Sequence, residues 1–282
     1  MNKQFNIETG MTANAKCSRS GRRILDKIRN AGFEDVMLDH TRPRNLGRFI
    51  SIAFEKGLKV PFIHLDSKEA SSIWTMNDKQ QGFVEYVKDS IKLCGDNGVE
   101  TVVMHTNFNG TEVAPNQVGL DCIKQMLEAA ESGNVKIALE NNDDLPHLDY
   151  LLQNIDSPNL GFCFDSGHWN LCTPDVDLLG KYGDRLIAVH LHDNAGKQEP
   201  VERIWDQDLH LLPFDGITNF DKVARGIAKS KYNGPVMLES RRNKWGIDYT
   251  ELPPEDFLKD AHVRAKKLAD MITGYRTAGV EK

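Results

Sequence analysis

The chain has 282 residues, 40% hydrophobic and 27% charged, with 35 Lys plus Arg against 41 Asp plus Glu and a formal net charge of −6. That apolar share is too large for a disordered chain, and no uncharged apolar run is long enough to span a bilayer. The acidic balance argues against a protein whose main task is neutralising nucleic-acid phosphates.

The opening MNKQFNIETG has no apolar signal core, so a cytoplasmic location is expected. A first strand is predicted over Phe5–Thr9, then a helical stretch RRILDKIRNAG, a strand over Asp35–Asp39 and a second stretch RNLGRFISIAFEKG. A strand over Val60–Leu65 precedes the helical GFVEYVKDSIKLCGDNG, and Gly32, Gly57 and Gly98 stand where helix C-caps want positive φ. Further strands are predicted over Thr101–Asn107, Val135–Asn141, Leu160–Asp165, Leu186–Asp193 and Pro235–Ser240, with a last helix over about 255–275. Runs such as TVVM, VKIAL, LIAV and PVML are continuously apolar, as strands covered on both faces should be.

Eight strand–helix units without a linker predict a single domain over residues 1–282, a (β/α)8 TIM barrel. An open doubly wound sheet is the rival, but no Gly-rich dinucleotide fingerprint follows the first strand. Cys17, Cys94, Cys122, Cys163 and Cys172 are odd in number and form no CxxC pair. They read as reduced thiols packed as small hydrophobes.

In such barrels the chemistry lies where the strands end. The third strand ends with His64 and Asp66, the fourth with His105, Asn107 and Asn109, and the fifth with Glu140, Asn141 and Asn142. The sixth ends with Asp165, followed by His168; the seventh with His190, His192 and Asp193; the eighth with Glu239. The loop after the seventh adds Asp206, Asp208 and His210. Glu140, Asp165, His190 and Glu239 come from consecutive strands, so they should surround one point. A carboxylate ending an apolar strand is costly unless a cation or hydrogen bonds compensate it. Two or three carboxylates plus imidazole, without thiolate, suit Mn²⁺, Mg²⁺, Co²⁺ or Zn²⁺.

Some of these residues have plainer readings. His64 or His105 alone could be a hydrogen-bonded structural residue. His192 points the same way as His190 and could pack or act behind it, and Asp193 reads equally as a loop cap. His40 and His147 fit no repeated ligand pattern, and His262 is expected on the surface of the last helix.

At LENN (139–142), DSGH (165–168), HLHD (190–193), DLHLLPFDG (208–216) and LES (238–240) the chain resembles the xylose-isomerase-like barrel superfamily. That superfamily holds sugar and sugar-phosphate isomerases and epimerases together with endonuclease IV. The resemblance to its ketose epimerases implies one divalent ion held by Glu140, Asp165, His190 and Glu239. Glu140 and Glu239 would be the acid–base pair working through a metal-stabilised enediolate, and His168 would hold a substrate oxygen. His64, His105, His210 and Arg241 join it as expected substrate contacts. Where those epimerases carry an arginine after the strand-seven histidine, this chain reads HLHDNAGKQ, which implies a different substrate contact or a substrate that is not a free ketose.

The resemblance to endonuclease IV implies up to three ions. His64, His105 and Glu140 would hold one; Glu140, Asp165, His190 and Glu239 a second; and His168, Asp208 and His210 a third. Such a centre would cleave a phosphodiester at an abasic site. The chain lacks a basic, aromatic-bearing loop set for a bent duplex, so the small-molecule reading is preferred over nucleic acid. A dehydratase on the same scaffold also begins from an enolate beside the metal.

Arg42, Arg44 and Arg48 after strand two, and Arg241, Arg242 and Lys244 after strand eight, are either solvated helix starts or contacts for an anionic substrate group. Trp169 and Trp245 could wall a sugar ring or simply pack. The expected partner is a sugar-like small molecule; no membrane is implied, and a homo-oligomer stays open.

Overall fold

The structure is a computed structural model that describes residues 7–14, 17, 20–40, 43–108, 111–200, 203–244 and 247–280. Eight parallel strands form its centre: β1 (Thr9–Thr12), β2 (Asp35–His40), β3 (Phe62–Leu65), β4 (Thr101–His105), β5 (Lys136–Glu140), β6 (Leu160–Asp165), β7 (Leu186–His190) and β8 (Val236–Leu238). Each pairs with its sequence neighbour from β1 to β7, and β1 also pairs with β8. The last gap, between β7 and β8, is crossed by a bridge at Leu191 and Leu238. There the Leu191 amide donates to the Met237 carbonyl at 2.9 Å and the Glu239 amide to the Leu191 carbonyl at 3.1 Å. The result is a nearly closed (β/α)8 barrel.

Two apolar layers hold it. Met37, Phe62, Val103, Ala138, Cys163, Ala188 and Met237 fill the barrel interior, and a larger core lies between strands and helices. The helices are α1 (Gly21–Ala31), α2 (Pro43–Glu55), α3 (Asp78–Asp96), α4 (Gln117–Gly133), α5 (Leu145–Asn154), α6 (Ser166–Cys172), α7 (Leu178–Tyr182), α8 (Phe220–Lys229) and α9 (Pro254–Val280). In α1, Ile24, Leu25 and Ile28 give one apolar stripe that turns inward. Asn77 and Asn116 cap α3 and α4 by accepting the Gln80 and Gly119 amides. Gly32, Gly57 and Gly98 all have positive φ, as their places after helices require.

The first strand departs from expectation. It is Thr9–Thr12, not Phe5–Thr9, and residues 5 and 6 lie outside the described residues. The pairing explains the shift: Gly10 sits opposite Asp35 on one side and Met237 on the other, and all four strand residues are buried. The alternating FNIET has the pattern of a half-exposed strand, whereas this position is covered on both faces. Strands β4, β7 and β8 also stop short of Asn107, Asp193 and Ser240, so these residues belong to the loops that build the mouth.

No disulfide joins the five cysteines, and all but Cys172 are buried. No helix among the described residues is long and apolar enough to cross a membrane.

Candidate metal centre

Glu140 ends β5 and is fully buried, as is Asp165 at the end of β6. A reciprocal clamp fixes the two strand ends: the Asn141 side chain accepts the Asp165 amide at 2.8 Å and donates to the Asp165 carbonyl at 2.9 Å. Asp165 also caps α6, accepting the His168 amide at 2.7 Å, so the DSGH sequence sets aspartate and histidine on one turn. Within that turn Gly167 leaves room for His192; a Cβ there would lie 1.9 Å from the His192 ring.

The four residues expected to share an ion come together. Ligand atoms of Glu140, Asp165, His190 and Glu239 all lie within 4.8 Å of one another, and all four side chains are buried. His190 Nδ1 stands 3.1 Å from Glu140 Oε1, 3.2 Å from Glu239 Oε2 and 4.0 Å from Asp165 Oδ2. The other expected residues surround this group. His64 Nε2 is 3.0 Å and His105 Nε2 3.3 Å from Glu140 Oε2, and His168 Nδ1 is 3.4 Å from Glu140 Oε1. His210 Nε2 lies 2.7 Å from Asp208, and Arg241 Nη2 3.3 Å from Glu239 Oε1. His192 sits behind Asp165, with Nε2 at 3.1 Å from its carboxylate and its ring stacked on His210 at 4.0 Å.

Electrostatics tie the group together. Burial would raise the Glu140 pKa, yet the His190 and His105 imidazoles hold it well below the usual carboxylate range. Burial alone would lower His64, but the hydrogen bond and charge of Glu140 raise it to about 10. His190 follows the same logic: burial lowers its pKa, but Glu140 and Glu239 outweigh that and raise it.

The residues fit a divalent cation on grounds of hydrogen-bond accounting. His64 Nδ1 meets the Leu65 carbonyl at 2.8 Å and His168 Nδ1 the Asn141 carbonyl at 2.9 Å. A carbonyl only accepts, so each Nδ1 carries the hydrogen, and a neutral ring keeps a lone pair on Nε2. For His64 that lone pair faces a carboxylate oxygen at 3.0 Å, a repulsive pairing unless a proton or a metal ion lies between them. Further donor groupings occur at His105–Glu140–His168, Asp165–His168–His192 and His192–Asp208–His210.

A cleft of about 400 Å³ opens over this floor, lined by His64, His105, Glu140, His168, Asp208, His210, Glu239 and Arg241. Sequence reading missed four other lining residues, Ser67, Phe108, Arg203 and Trp205. None ends an apolar strand, which was the signal that found the others. Asp39 was missed too. It is the penultimate residue of β2, opposite His64 in register, and burial, reinforced by Glu239, raises its pKa against the opposing His64.

Several open readings are decided, and some expected placements change. Arg242 donates to the Thr250 and Leu252 carbonyls, so its guanidinium braces the following loop. Trp169 packs against Phe164 and donates to the Val176 carbonyl, away from the cleft. His262 is half-buried, edge-on to Phe33 at 5.1 Å, because Gly32 leaves a hollow beneath its ring. Asp193 is a loop cap, accepting the Asn194, Phe214, Gly216 and Thr218 amides. Arg48 is exposed on α2. Arg42, Asn109 and Trp245, and the side chains of His40, Arg44 and Lys244, lie outside the described residues.

A second, larger cavity of about 690 Å³ opens at the opposite mouth, where Asp35, Lys59, Thr101, Lys136 and Tyr232 stand near the strand starts. Among the described residues it holds none of the metal-ligand groupings.

Comparison with known proteins agrees with the fold. A family profile described as xylose isomerase-like TIM barrel matches residues 25–267. The uncharacterized protein y4fM of Sinorhizobium fredii is 31% identical over 214 residues, which span 70% of this chain and 64% of that protein's length. An inosose dehydratase of Bacillus thuringiensis is 22% identical over 251 residues, 78% of this chain and 81% of the relative. A solved D-tagatose 3-epimerase-like protein superposes with a TM-score of 0.71 at 21% identity, covering 94% of this chain and 98% of its own. D-psicose 3-epimerase of Clostridium cellulolyticum does so with a TM-score of 0.73 at 13% identity, covering 95% and 99%. At these identities the two structures share the fold.

Proposed function

Because the chain belongs to the xylose isomerase-like TIM barrel family, we propose that it is a divalent-metal-dependent isomerase or epimerase of a sugar-like hydroxy-ketone. The observation that carries this reading is the meeting of Glu140, Asp165, His190 and Glu239 at the floor of an open cleft. Glu140, Asp165, His190 and Glu239 would hold the ion. When bound, it supplies positive charge beside the substrate carbonyl and the neighbouring hydroxyl, which acidifies the C–H bond between them.

The chain's own groups do the rest. Glu140 and Glu239 both reach the cleft, and neighbouring imidazoles keep both carboxylates in the charged form a base needs. One accepts the proton from carbon and the other returns it. His168, with Nδ1 committed to the Asn141 carbonyl, lines the cleft with Nε2 3.9 Å from Asp208, where it can meet a substrate hydroxyl. His105 and His210 line the same space, and Arg241 holds Glu239 from the side while leaving donors for a substrate oxygen or anionic group.

A dehydratase is the second reading, favoured by the inosose dehydratase relatives. Abstraction of the same proton followed by loss of a β-hydroxyl would use the same pair. A phosphodiesterase centre on abasic DNA would need three ions, for which His168, Asp208 and His210 would complete the third site.

Metal analysis and turnover test the reading. One Mn, Co, Mg or Zn per chain with conversion of a ketose or an inosose is expected; three Zn per chain with cleavage of an abasic-site duplex would replace it. Glu140→Gln should cut kcat by about 10²–10⁴-fold and weaken metal binding together. Full activity in that variant removes Glu140 from the mechanism.

A further inference from the structure

The rim of the cleft carries two aromatic side chains that the proton-transfer chemistry does not use. Phe108 follows β4 and is 39% exposed, one of few large apolar side chains at the surface. It is pinned there by Ser71, which accepts the Phe108 amide at 2.8 Å and donates to the Phe108 carbonyl at 3.1 Å. Trp205 lies on a short helical turn, Ile204–Asp206, in the long loop after β7. Its indole stands edge-to-face on the His168 ring, 5.1 Å away. That loop is tied at two levels: Asp193 gathers four backbone amides at its base, and Gln198 and Gln207 exchange two hydrogen bonds of 2.7 Å beside the tryptophan turn. Phe108, after β4, and Trp205, in the loop after β7, both line the cleft.

A polar floor with aromatic walls suits a ligand with hydroxyls on its edge and a flat face of C–H bonds. A free sugar offers that face only in its ring form, and closing the ring consumes the carbonyl on which enolisation depends. A compound with both a ring face and a free ketone is ring-locked: a carbocycle, or a glycoside oxidised at a ring carbon other than the anomeric one. An open-chain ketose keeps the carbonyl but presents no lasting flat face, and it loses rotational freedom on binding. We propose that Trp205, with Phe108 on the same cleft, selects a ring-locked polyhydroxy ketone over an open-chain ketose. This rests on the hydroxy-ketone reading given above and names its substrate class.

The test uses the full-length Mn²⁺-loaded protein with an inosose as the carbocyclic probe and D-psicose as the ketose. Trp205→Ala should raise KM for the inosose about tenfold or more, and at least about threefold further than it raises KM for D-psicose. Trp205→Phe, which keeps an aromatic face, should restore most of the loss. Titration with the inosose should change the fluorescence of the wild type, and this change should shrink in Trp205→Phe. An equal effect of Trp205→Ala on both compounds, or none on either, overturns the proposal, as does failure of the wild type to bind the inosose. If the inosose binds with the tryptophan signal, and Trp205→Ala weakens that binding about tenfold, but it is not turned over, the selectivity stands and the activity falls. If it is turned over and Trp205→Ala is indistinguishable from wild type, the activity stands and the selectivity falls.

Discussion

Asp35 shows how a single buried group can set a pH dependence far from the chemistry. It opens β2, is 1% exposed, and its Oδ2 has no hydrogen-bond partner among the described residues. Burial raises its pKa to about 7, with Glu8 adding to the rise and Lys59 opposing it. The folded protein therefore holds this proton more tightly than the unfolded chain, whose Asp titrates near 4. Stability from this residue is fully present below about pH 4 and is lost as pH rises through about 7. Asp35→Asn should match wild type in urea unfolding near pH 4 and become the more stable of the two at pH 8. A difference that stays constant across that range refutes the assignment.

The same scale shows what the sequence made readable. Glu140, Asp165, His190 and Glu239 could be found because each ends a continuously apolar run, where an ionisable residue needs a reason. His168, Asp208 and His210 followed from motif spacing within a resemblance. Trp205 and Arg203 carried no such mark, since a tryptophan or arginine in a polar loop is ordinary until the loop's path is known. His262 read as a surface residue because the hollow over Gly32 that receives it comes from a helix more than two hundred residues earlier.

At the level of elements, the strands built on an apolar run were legible, and TGMT, which has none, was misplaced. Its burial is imposed by neighbours on both sides and not by its own side chains. The loop after β7 is the opposite case, an irregular segment ordered by one carboxylate. Asp193 is fully buried and accepts backbone amides from residues 194, 214, 216 and 218 at 2.9–3.1 Å. Asp193→Ala would leave these donors unpaired, a loss of about 2–4 kcal/mol given the energy of hydrogen bonds to a charged acceptor. The expected result is a lower urea midpoint and new protease cleavage between residues 194 and 218. Unchanged protection of that segment would show that the loop has other anchors.

Across the whole molecule, the ring of strands is least continuous between β7 and β8, where a bridge at Leu191 and Leu238 replaces a full ladder. The four proposed ligands straddle this joint, three on β5, β6 and β7 and Glu239 just beyond β8. Loading the ion should stabilise the fold by mass action, about 2.7 kcal/mol at one hundred times the dissociation constant, and raise Tm by several degrees; a chelator should reverse both. Hydrogen exchange sharpens the expectation: metal removal should speed the amides of Leu191 and Glu239 more than those within the β4–β5 pair. Uniform change, or none, would separate ion binding from the joint. The cation would then serve as a clasp as well as a reagent. Starving the protein of metal would loosen the hoop at its own buckle, so that lost turnover and lost shape arrive together.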